Sequence, residues 1–588
     1  MIRELADHNS LSQTVPDQPL GPRRSRRQPN RLIDGNLASM NGPMAFAASK
    51  SDPDTFTLEQ ALSQTENYDK WIEALEKEIR ALEEHGVWEE VPISEAKGDI
   101  IPTMFVMKVK RKPDGSLDKY KARITVRGDL MKNYGFETYS AVCAWSTINM
   151  VLTLALTWNW TTCTCDYSNA FIHATLDTPV WIKIPKGYES SMPGQTCLKL
   201  KRSLYGTSFA PKLWSETLTK ALKDYGLKQS THDPCLFSKP GVMACCCVDD
   251  LILAFKNPTE RNTFFAAMKK LGFSLTMDDT LESFLGIKFV RHSDGSFTLT
   301  QPALIQKILA ATAMKDCNSV STPATPNQTL GKDEDGQAMT DTWSYSSVTG
   351  MLLYLSTNTR TDLVFAVSQV CRFNHSPKQS HAQAVKRIVR YLAGTSDKGI
   401  IMKPDGTLAL NCWSDADFAG LYKVDPSHEA SSAKSRMGYL IKLGGCVIVS
   451  KSQLISCICL ATAEAEYYSL SHCLRVLLPI RRTLEELATH LEVPADLQAS
   501  TMSSTAFEDN SAALTLATNH RLTSRTRYYH TQSHFFWEHV RNGEVVPEAC
   551  PTRLMDADFL TKPMPQAGFE ENRKRVMGWQ VLARVHGL

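Results

Sequence analysis

The chain has 588 residues, of which 43% are hydrophobic and 22% charged, and its formal net charge is +3. That length excludes a single hydrophobic core and leads to an expectation of roughly three or four domains. The small net charge excludes a global positive field, so any nucleic-acid surface must be local. Sixteen cysteines are spread thinly with no Cys-x-x-Cys among them, which argues for free thiols in a reducing compartment over zinc sites or a disulfide scaffold. The polar start Met1-Ile2-Arg3-Glu4 lacks the apolar core of a signal peptide. The longest apolar stretches, Ile148 to Trp160 and Val242 to Phe255, fall short of the ~20 residues that cross a bilayer, so a soluble chain with no membrane partner is expected.

Residues 1–52 are rich in Pro, Ser, Asn and Arg, with Arg23-Arg24-Ser25-Arg26-Arg27 as the densest basic cluster, and read as a disordered basic linker. The cluster suits nucleic acid or nuclear import as well as a solvated tether. From Thr57 the pattern turns helical: Leu75, Ile79 and Leu82 recur at helix spacing and Gly86 supplies a stop. Two extended runs, Thr103 to Arg111 and Lys119 to Arg127, flank Pro113-Asp114-Gly115 and predict a β-hairpin. Lys108, Lys110, Lys119, Lys121, Arg123 and Arg127 make it dense in positive charge, as a phosphate grip or as an ordinary solvated face.

Residues 148 to 160 predict a buried helix, and 198–214 lead into another that ends near Tyr225. A further helix is expected over 259–271, then short strands at Leu281 to Phe289 and Phe297 to Leu299. A Ser-, Thr-, Pro-, Asp- and Gly-rich stretch, 318–342, reads as a surface connection. Helical segments follow at 345–356, 361–373 and 381–393, where Arg360, Arg372, Lys386, Arg387 and Arg390 predict a local basic surface.

Several carboxylates interrupt these apolar segments. Asp249 and Asp250 sit inside the run Val242 to Phe255, where burying an ionised carboxylate costs several kcal/mol unless a cation pairs with it. A tight turn or a metal site would explain them. Asp166, in Thr164-Cys165-Asp166-Tyr167, is a natural strand partner, and Phe171 beside it is either the floor of a nucleotide pocket or a core aromatic. A second set follows: Asp415 and Asp417 at a strand end, Glu464 and Glu466 on a helix from Ala461 but on different faces, Glu508 and Asp509 before a helix, and Asp556 and Asp558. Each alone suits a helix cap or a surface acid. Their strand, helix, strand, helix order favours a second centre.

Taken together, the ordered motifs resemble the C-terminal part of the polyprotein of copia-type LTR retrotransposons, a reverse transcriptase followed by ribonuclease H. The resemblance runs from about Phe56 to Lys562. It rests on Tyr120-Lys121-Ala122-Arg123, Phe136 to Ser140, Asp166 with Asn169-Ala170-Phe171, Leu198 to Gly206, Val248-Asp249-Asp250, Phe284 to Ile287, Val367-Ser368-Gln369, Arg390 to Thr395, Ser414 to Asp417, Glu464 to Tyr467, Asp509 to Ala512, and Ala557-Asp558 with Thr561-Lys562-Pro563.

The resemblance implies a mixed α+β and α/β architecture: fingers and palm over 53–317, a helical thumb or connection over 318–404, a ribonuclease H-like mixed-sheet domain over 405–566 and a tail over 567–588. It places a polymerase triad on Asp166, Asp249 and Asp250, nucleotide contacts on Lys121 and Arg123, and the sugar-discriminating aromatic on Phe171. The nuclease carboxylates fall on Asp415, Glu466, Asp509 and Asp558, with Glu466 preferred to Glu464 because Tyr-x-x-Leu follows it. Both activities imply two Mg²⁺ ions, or Mn²⁺ in their place, about 3.5 to 4 Å apart at an in-line displacement. The implied partners are an RNA template, a DNA primer, an RNA/DNA hybrid and dNTPs, with a homodimer as an option. The implied location is intracellular, in a cytoplasmic particle with the nucleus as a second compartment. Three departures stand out: Cys247 where the family carries an aromatic near the primer end, Ser208-Phe209 in place of Lys-Gln, and Tyr528 and His530 in place of His and Asp. With no protease or integrase upstream, the expectation is a truncated copy or one portion of a larger polyprotein. The alternative is a decayed or co-opted remnant that folds and binds nucleic acid without polymerising.

Overall fold

A computed structural model describes residues 54–579 apart from 112–115, 132–137, 168, 191, 193, 274, 494–503 and 520–529. The basic cluster Arg23 to Arg27, the Pro113 to Gly115 turn, Phe136-Glu137 and Tyr528 lie outside the described residues, as does the side chain of His530. The described chain is mixed α/β, with thirteen α-helices and five sheets.

Helix α1 (Tyr68–Glu84) buries Trp71, Leu75, Ile79 and Leu82, its apolar stripe at three- and four-residue spacing. It stops at Gly86, whose φ of +59° suits the left-handed position that ends helices. The stripe packs on an antiparallel hairpin, β1 (Thr103–Arg111) and β2 (Leu117–Val126), which pairs Lys108 with Lys121 and Val106 with Arg123. Phe105, Met107 and Val109 alternate inward along β1, so the cationic residues between them face away from that core.

The next layer is a six-stranded sheet. After the buried helix α2 (Trp145–Thr157) come β3 (Thr161–Tyr167), helix α3 (Ala210–Asp224), β4 (Lys228–Gln229), β5 (Leu236–Lys239), β6 (Val242–Cys247), β7 (Asp250–Phe255) and β8 (Leu275–Asp278). The strand order is β8-β3-β7-β6-β5-β4, antiparallel throughout. Every residue of β6 is buried, because helices cover one face and the 259–271 region the other.

Helices α4 (Tyr345–Asn358), α5 (Val364–Cys371) and α6 (Gln379–Ala393) follow the 318–342 connection. The predicted basic surface needs correction here. Arg360 is fully buried, bonded to Asp362 at 2.8 Å, and Arg372 is mostly covered, bonded to Asp425 at 3.0 Å. A nearby carboxylate in each case made burial of the guanidinium tolerable, a fact invisible to a reading of charge alone.

The last sheet has strand order β11-β10-β9-β12-β13, from β9 (Leu410–Asp417), β10 (Arg436–Leu443), β11 (Cys446–Leu454), β12 (Thr505–Glu508) and β13 (Val546–Ala549). The β9–β10–β11 ladder is antiparallel, whereas β9–β12 and β12–β13 are parallel. A 29-residue helix α7 (Thr462–His490) crosses it, and a short α8 (Ser511–Asn519) follows β12. One continuous hydrophobic core runs from Cys143 to Met577, so α2 packs against β11 and the Asn149 amide donates to the Ile448 carbonyl at 3.5 Å. No helix among the described residues is long and apolar enough to cross a membrane. All sixteen cysteines are free thiols.

Candidate active site

The β6–β7 hairpin turns through only two residues, Val248 and Asp249, since Cys247 is the register partner of Asp250. Val248 takes φ +62°, a left-handed position that glycine usually fills in such turns. Asp249 therefore lies in the turn itself and Asp250 opens the next strand, both half-buried, at the tip of the hairpin that the apolar run folds into. The turn and the carboxylate site are the same object.

Asp250 is the register partner of Asp166 on β3, and the Tyr167 amide donates to the Asp249 carbonyl at 3.0 Å. Directly opposed residues on antiparallel strands point to one face with Cβ atoms ~4.5 to 5.5 Å apart. The consequence is electrostatic. Desolvation, then Asp249 and Asp166, push the Asp250 carboxyl up to about 7. Asp166 stays exposed, yet the protein around it and Asp249 raise its carboxyl also. Asn169, at φ +54°, breaks the strand after Tyr167, so Phe171 sits on a separate 3₁₀ turn, Ala170–His173.

The basic hairpin faces this group. Lys121 and Lys110 on β2 and β1, with Arg123, favour the ionised form of Asp166. Burial and the neighbouring Arg123 and Lys110 lower Lys121 to about 8, an environment that rewards an anion. Arg123 lies over the Tyr205 ring at 4.7 Å, and Tyr205 meets Phe171 edge-on at 4.8 Å. The structure thus brings Lys121, Arg123, Phe171, Asp166, Asp249 and Asp250 to one place.

The second cluster forms where β9, α7 and β12 converge. Asp415 at the end of β9, Glu466 on the first turns of α7 and Asp509 after β12 place ligand atoms within 4.8 Å of one another. Glu464, two residues from Glu466, is half-buried and instead accepts from the amide of Leu460, just ahead of the helix. Asp558 is set apart: Lys562 Nζ lies 2.7 Å from its Oδ1 and 3.8 Å from Asp415 Oδ2. The Thr561 hydroxyl donates to Asp415 Oδ2. Burial first, then mutual repulsion, raises the Glu466 carboxyl, and the buried Glu508 next to Asp509 is raised mainly by burial.

Both groups fit hard divalent cations. Their donors are carboxylate oxygens, the set that suits Mg²⁺ or Mn²⁺. Glu466 Oε2 is buried without a hydrogen-bond partner among the described residues, so an acceptor is left over inside the cluster. Mutual repulsion of this kind is relieved by a cation.

Residues 86–326 match the family described as reverse transcriptase (RNA-dependent DNA polymerase). This stretch belongs to the reverse transcriptase family. Outside it the likeness continues: the chain is 31% identical over 537 residues to a retrovirus-related Pol polyprotein from transposon RE1 of Arabidopsis thaliana, covering 90% of this chain and 35% of that protein. It is 30% identical over 568 residues to the Pol polyprotein from transposon RE2 of the same plant, covering 94% of this chain and 37% of the relative. A Pol polyprotein from transposon TNT 1-94 of Nicotiana tabacum is 28% identical over 541 residues, 89% of this chain and 39% of the relative. The chain thus spans little more than a third of these relatives.

In and just ahead of the reverse transcriptase segment, sequence reasoning missed three supports. Trp214 Nε1 donates to the Val248 carbonyl at 2.5 Å, Tyr205 links Arg123 to Phe171, and Glu78 accepts from the Ile124 amide at 3.3 Å beneath the hairpin. None carries a local signal, because each acts across the fold. Downstream, the Thr561-Lys562 pair was visible as a motif but its contacts were not.

Proposed function

We propose that the chain is an RNA-directed DNA polymerase with ribonuclease H activity from a copia-type retrotransposon, copying RNA into DNA and hydrolysing the RNA of the hybrid. One observation carries the reading: Asp166 stands opposite Asp250, with Asp249 in the intervening turn, under a hairpin that aims Lys121 and Arg123 at them. In this reading 53–317 form fingers and palm, 318–404 a thumb or connection, and 405–566 the ribonuclease H-like domain.

The carboxylates of Asp166, Asp249 and Asp250, and separately of Asp415, Glu466, Asp509 and Asp558, would hold Mg²⁺ or Mn²⁺, which stabilises attacking and leaving oxygens at phosphorus. Lys121 and Arg123 bind and orient the triphosphate of an incoming dNTP. Phe171, held edge-on by Tyr205, supplies the flat wall against the sugar. Lys562 keeps Asp558 and Asp415 in place while charge is balanced, and Thr561 fixes the Asp415 rotamer. The partners are an RNA template, a DNA primer, an RNA/DNA hybrid and dNTPs, in an intracellular particle, with a homodimer as an assembly to test.

Two residues support the remnant reading as a second hypothesis. Cys247 is buried among core side chains where the family has an aromatic, and Phe209 is buried in the fingers-side core where the family has Gln. Primer extension decides: purified protein with poly(rA)/oligo(dT), dTTP and Mg²⁺ extends the primer, and Asp249→Asn does not. No extension above that variant overturns the polymerase. Cleavage of an RNA/DNA hybrid that survives Asp415→Asn overturns the downstream site.

A further inference from the structure

A cavity of about 710 Å³ lies between α5, α6 and the 323–333 connection, sharing no residue with either carboxylate centre. Its size falls within the ~300 to 1,000 Å³ of ordinary small-molecule sites. One wall is apolar, from Phe365, Ala366, Val370 and Ile388. The other carries cations, and their partners are uneven. Lys386 is paired with Asp341 at 2.5 Å. Arg387 and Arg390 have only neutral partners among the described residues, the Thr322 hydroxyl at 2.9 Å and the Asn318 carbonyl at 2.7 Å.

Arg387 also keeps a buried Nε with no hydrogen-bond partner among the described residues. Burial and the nearby Arg390 both work against its charge, so the site gains from an anion. The acid in the wall, Asp333, is already engaged by the Ser380 hydroxyl at 2.5 Å. Behind the apolar wall a fourth cation adds to the field: Arg436, 3% exposed, lies 5.5 Å over the Phe365 ring, and one of its terminal nitrogens has no hydrogen-bond partner among the described residues. An apolar wall beside two guanidinium groups that have no acidic partner among the described residues matches a ring joined to a phosphate.

We propose that this cavity binds a phosphate-bearing nucleotide, with its phosphate on Arg387 and Arg390 and its base along the Phe365 to Val370 wall. The nucleotide is either free or one unit of a strand that crosses the half-open cavity.

The test uses the full chain in EDTA, so that neither carboxylate centre contributes through a metal, with ATP, inorganic phosphate and a twelve-residue oligo(dT) as probes. Calorimetry is expected to show ATP binding at least tenfold weaker in Arg387→Gln/Arg390→Gln, and equally weakened in Ala384→Trp, which fills the cavity and keeps both arginines. Phosphate alone should bind more weakly than ATP. In the unaltered protein, ATP should protect Arg387 from phenylglyoxal, as read by mass spectrometry, a measurement that needs no variant to fold. If only the oligonucleotide protects Arg387 and loses affinity in the variants, the source is a strand. The proposal is overturned if no probe protects Arg387, or if every probe binds the three proteins alike.

Discussion

The indole nitrogen of Trp214 donates to the carbonyl of Val248 at 2.5 Å, and so ties helix α3 to the two-residue turn that carries Asp249. Trp214 is itself fixed, 1% exposed and edge-on to Tyr167 at 5.1 Å, the residue whose amide holds the Asp249 carbonyl. The turn is therefore gripped from both sides. Trp214→Phe keeps an aromatic ring and removes the donor, a loss of about 1 to 1.5 kcal/mol for a buried pair. If that falls on the positioning of Asp249, primer extension drops about tenfold in kcat with little change in the dTTP KM. Unchanged kcat in a folded variant would show that the turn stands without the indole.

Val248 holds a φ of +62°, and for a β-branched side chain that conformation stores roughly 1 to 2 kcal/mol of strain. Val248→Gly releases it, partly offset by the greater entropy of the unfolded glycine chain. The expected result is a melting temperature equal to or above that of the parent, together with slower primer extension as the turn loses its single geometry. A variant that is less stable would mean that the valine side chain contributes more by packing than its backbone costs.

Legibility followed the range of the interaction. The hairpin β1–β2 was readable from alternation and turn residues, and α1 from Leu75, Ile79 and Leu82, since those patterns lie within one element. The two-residue offset of Glu464 and Glu466 already put them on different faces, and the structure sets one on the Leu460 amide ahead of the helix and the other in the cluster. By contrast, the pairing of Asp166 with Asp250 depends on β3 lying next to β7 in a sheet assembled from distant segments. The continuity of the core from α2 to β11 was equally hidden, because the apolar run Cys446 to Leu454 looks the same whichever element covers it. Trp214 and Lys562 touch what they hold only after folding.

Arg360 shows where charge misleads. Its guanidinium donates to both Asp362 oxygens, at 2.9 and 2.8 Å, and to the Thr395 carbonyl and hydroxyl, while Tyr391 donates to Asp362 at 2.6 Å. Such a pair resists the loss of one partner, because the survivor is a buried unpaired charge costing about 3 to 5 kcal/mol. Asp362→Asn should lower the urea midpoint sharply, and Arg360→Met/Asp362→Leu should recover much of the loss. A double variant as unstable as the single would place the cost in packing instead of charge.

Glu78 gives the hairpin a pH signature. It is 7% exposed, and burial raises its carboxyl above the ordinary 4.5, against the opposing pull of the Ile124 amide, Lys121 and Arg123. A carboxyl raised on folding contributes stability below its unfolded pKa, and that contribution is lost as pH rises through the folded value. Glu78→Gln, whose amide oxygen still accepts from Ile124, removes the titration. Hydrogen exchange of residues 117–126, compared between the two proteins at each pH, is the measure. The variant should gain protection over the parent steadily from pH 4 upwards and level off once Glu78 is ionised in the folded protein. A ratio constant across that range would mean that the carboxyl titrates alike in the folded and the open chain, the pull of the Ile124 amide, Lys121 and Arg123 offsetting burial.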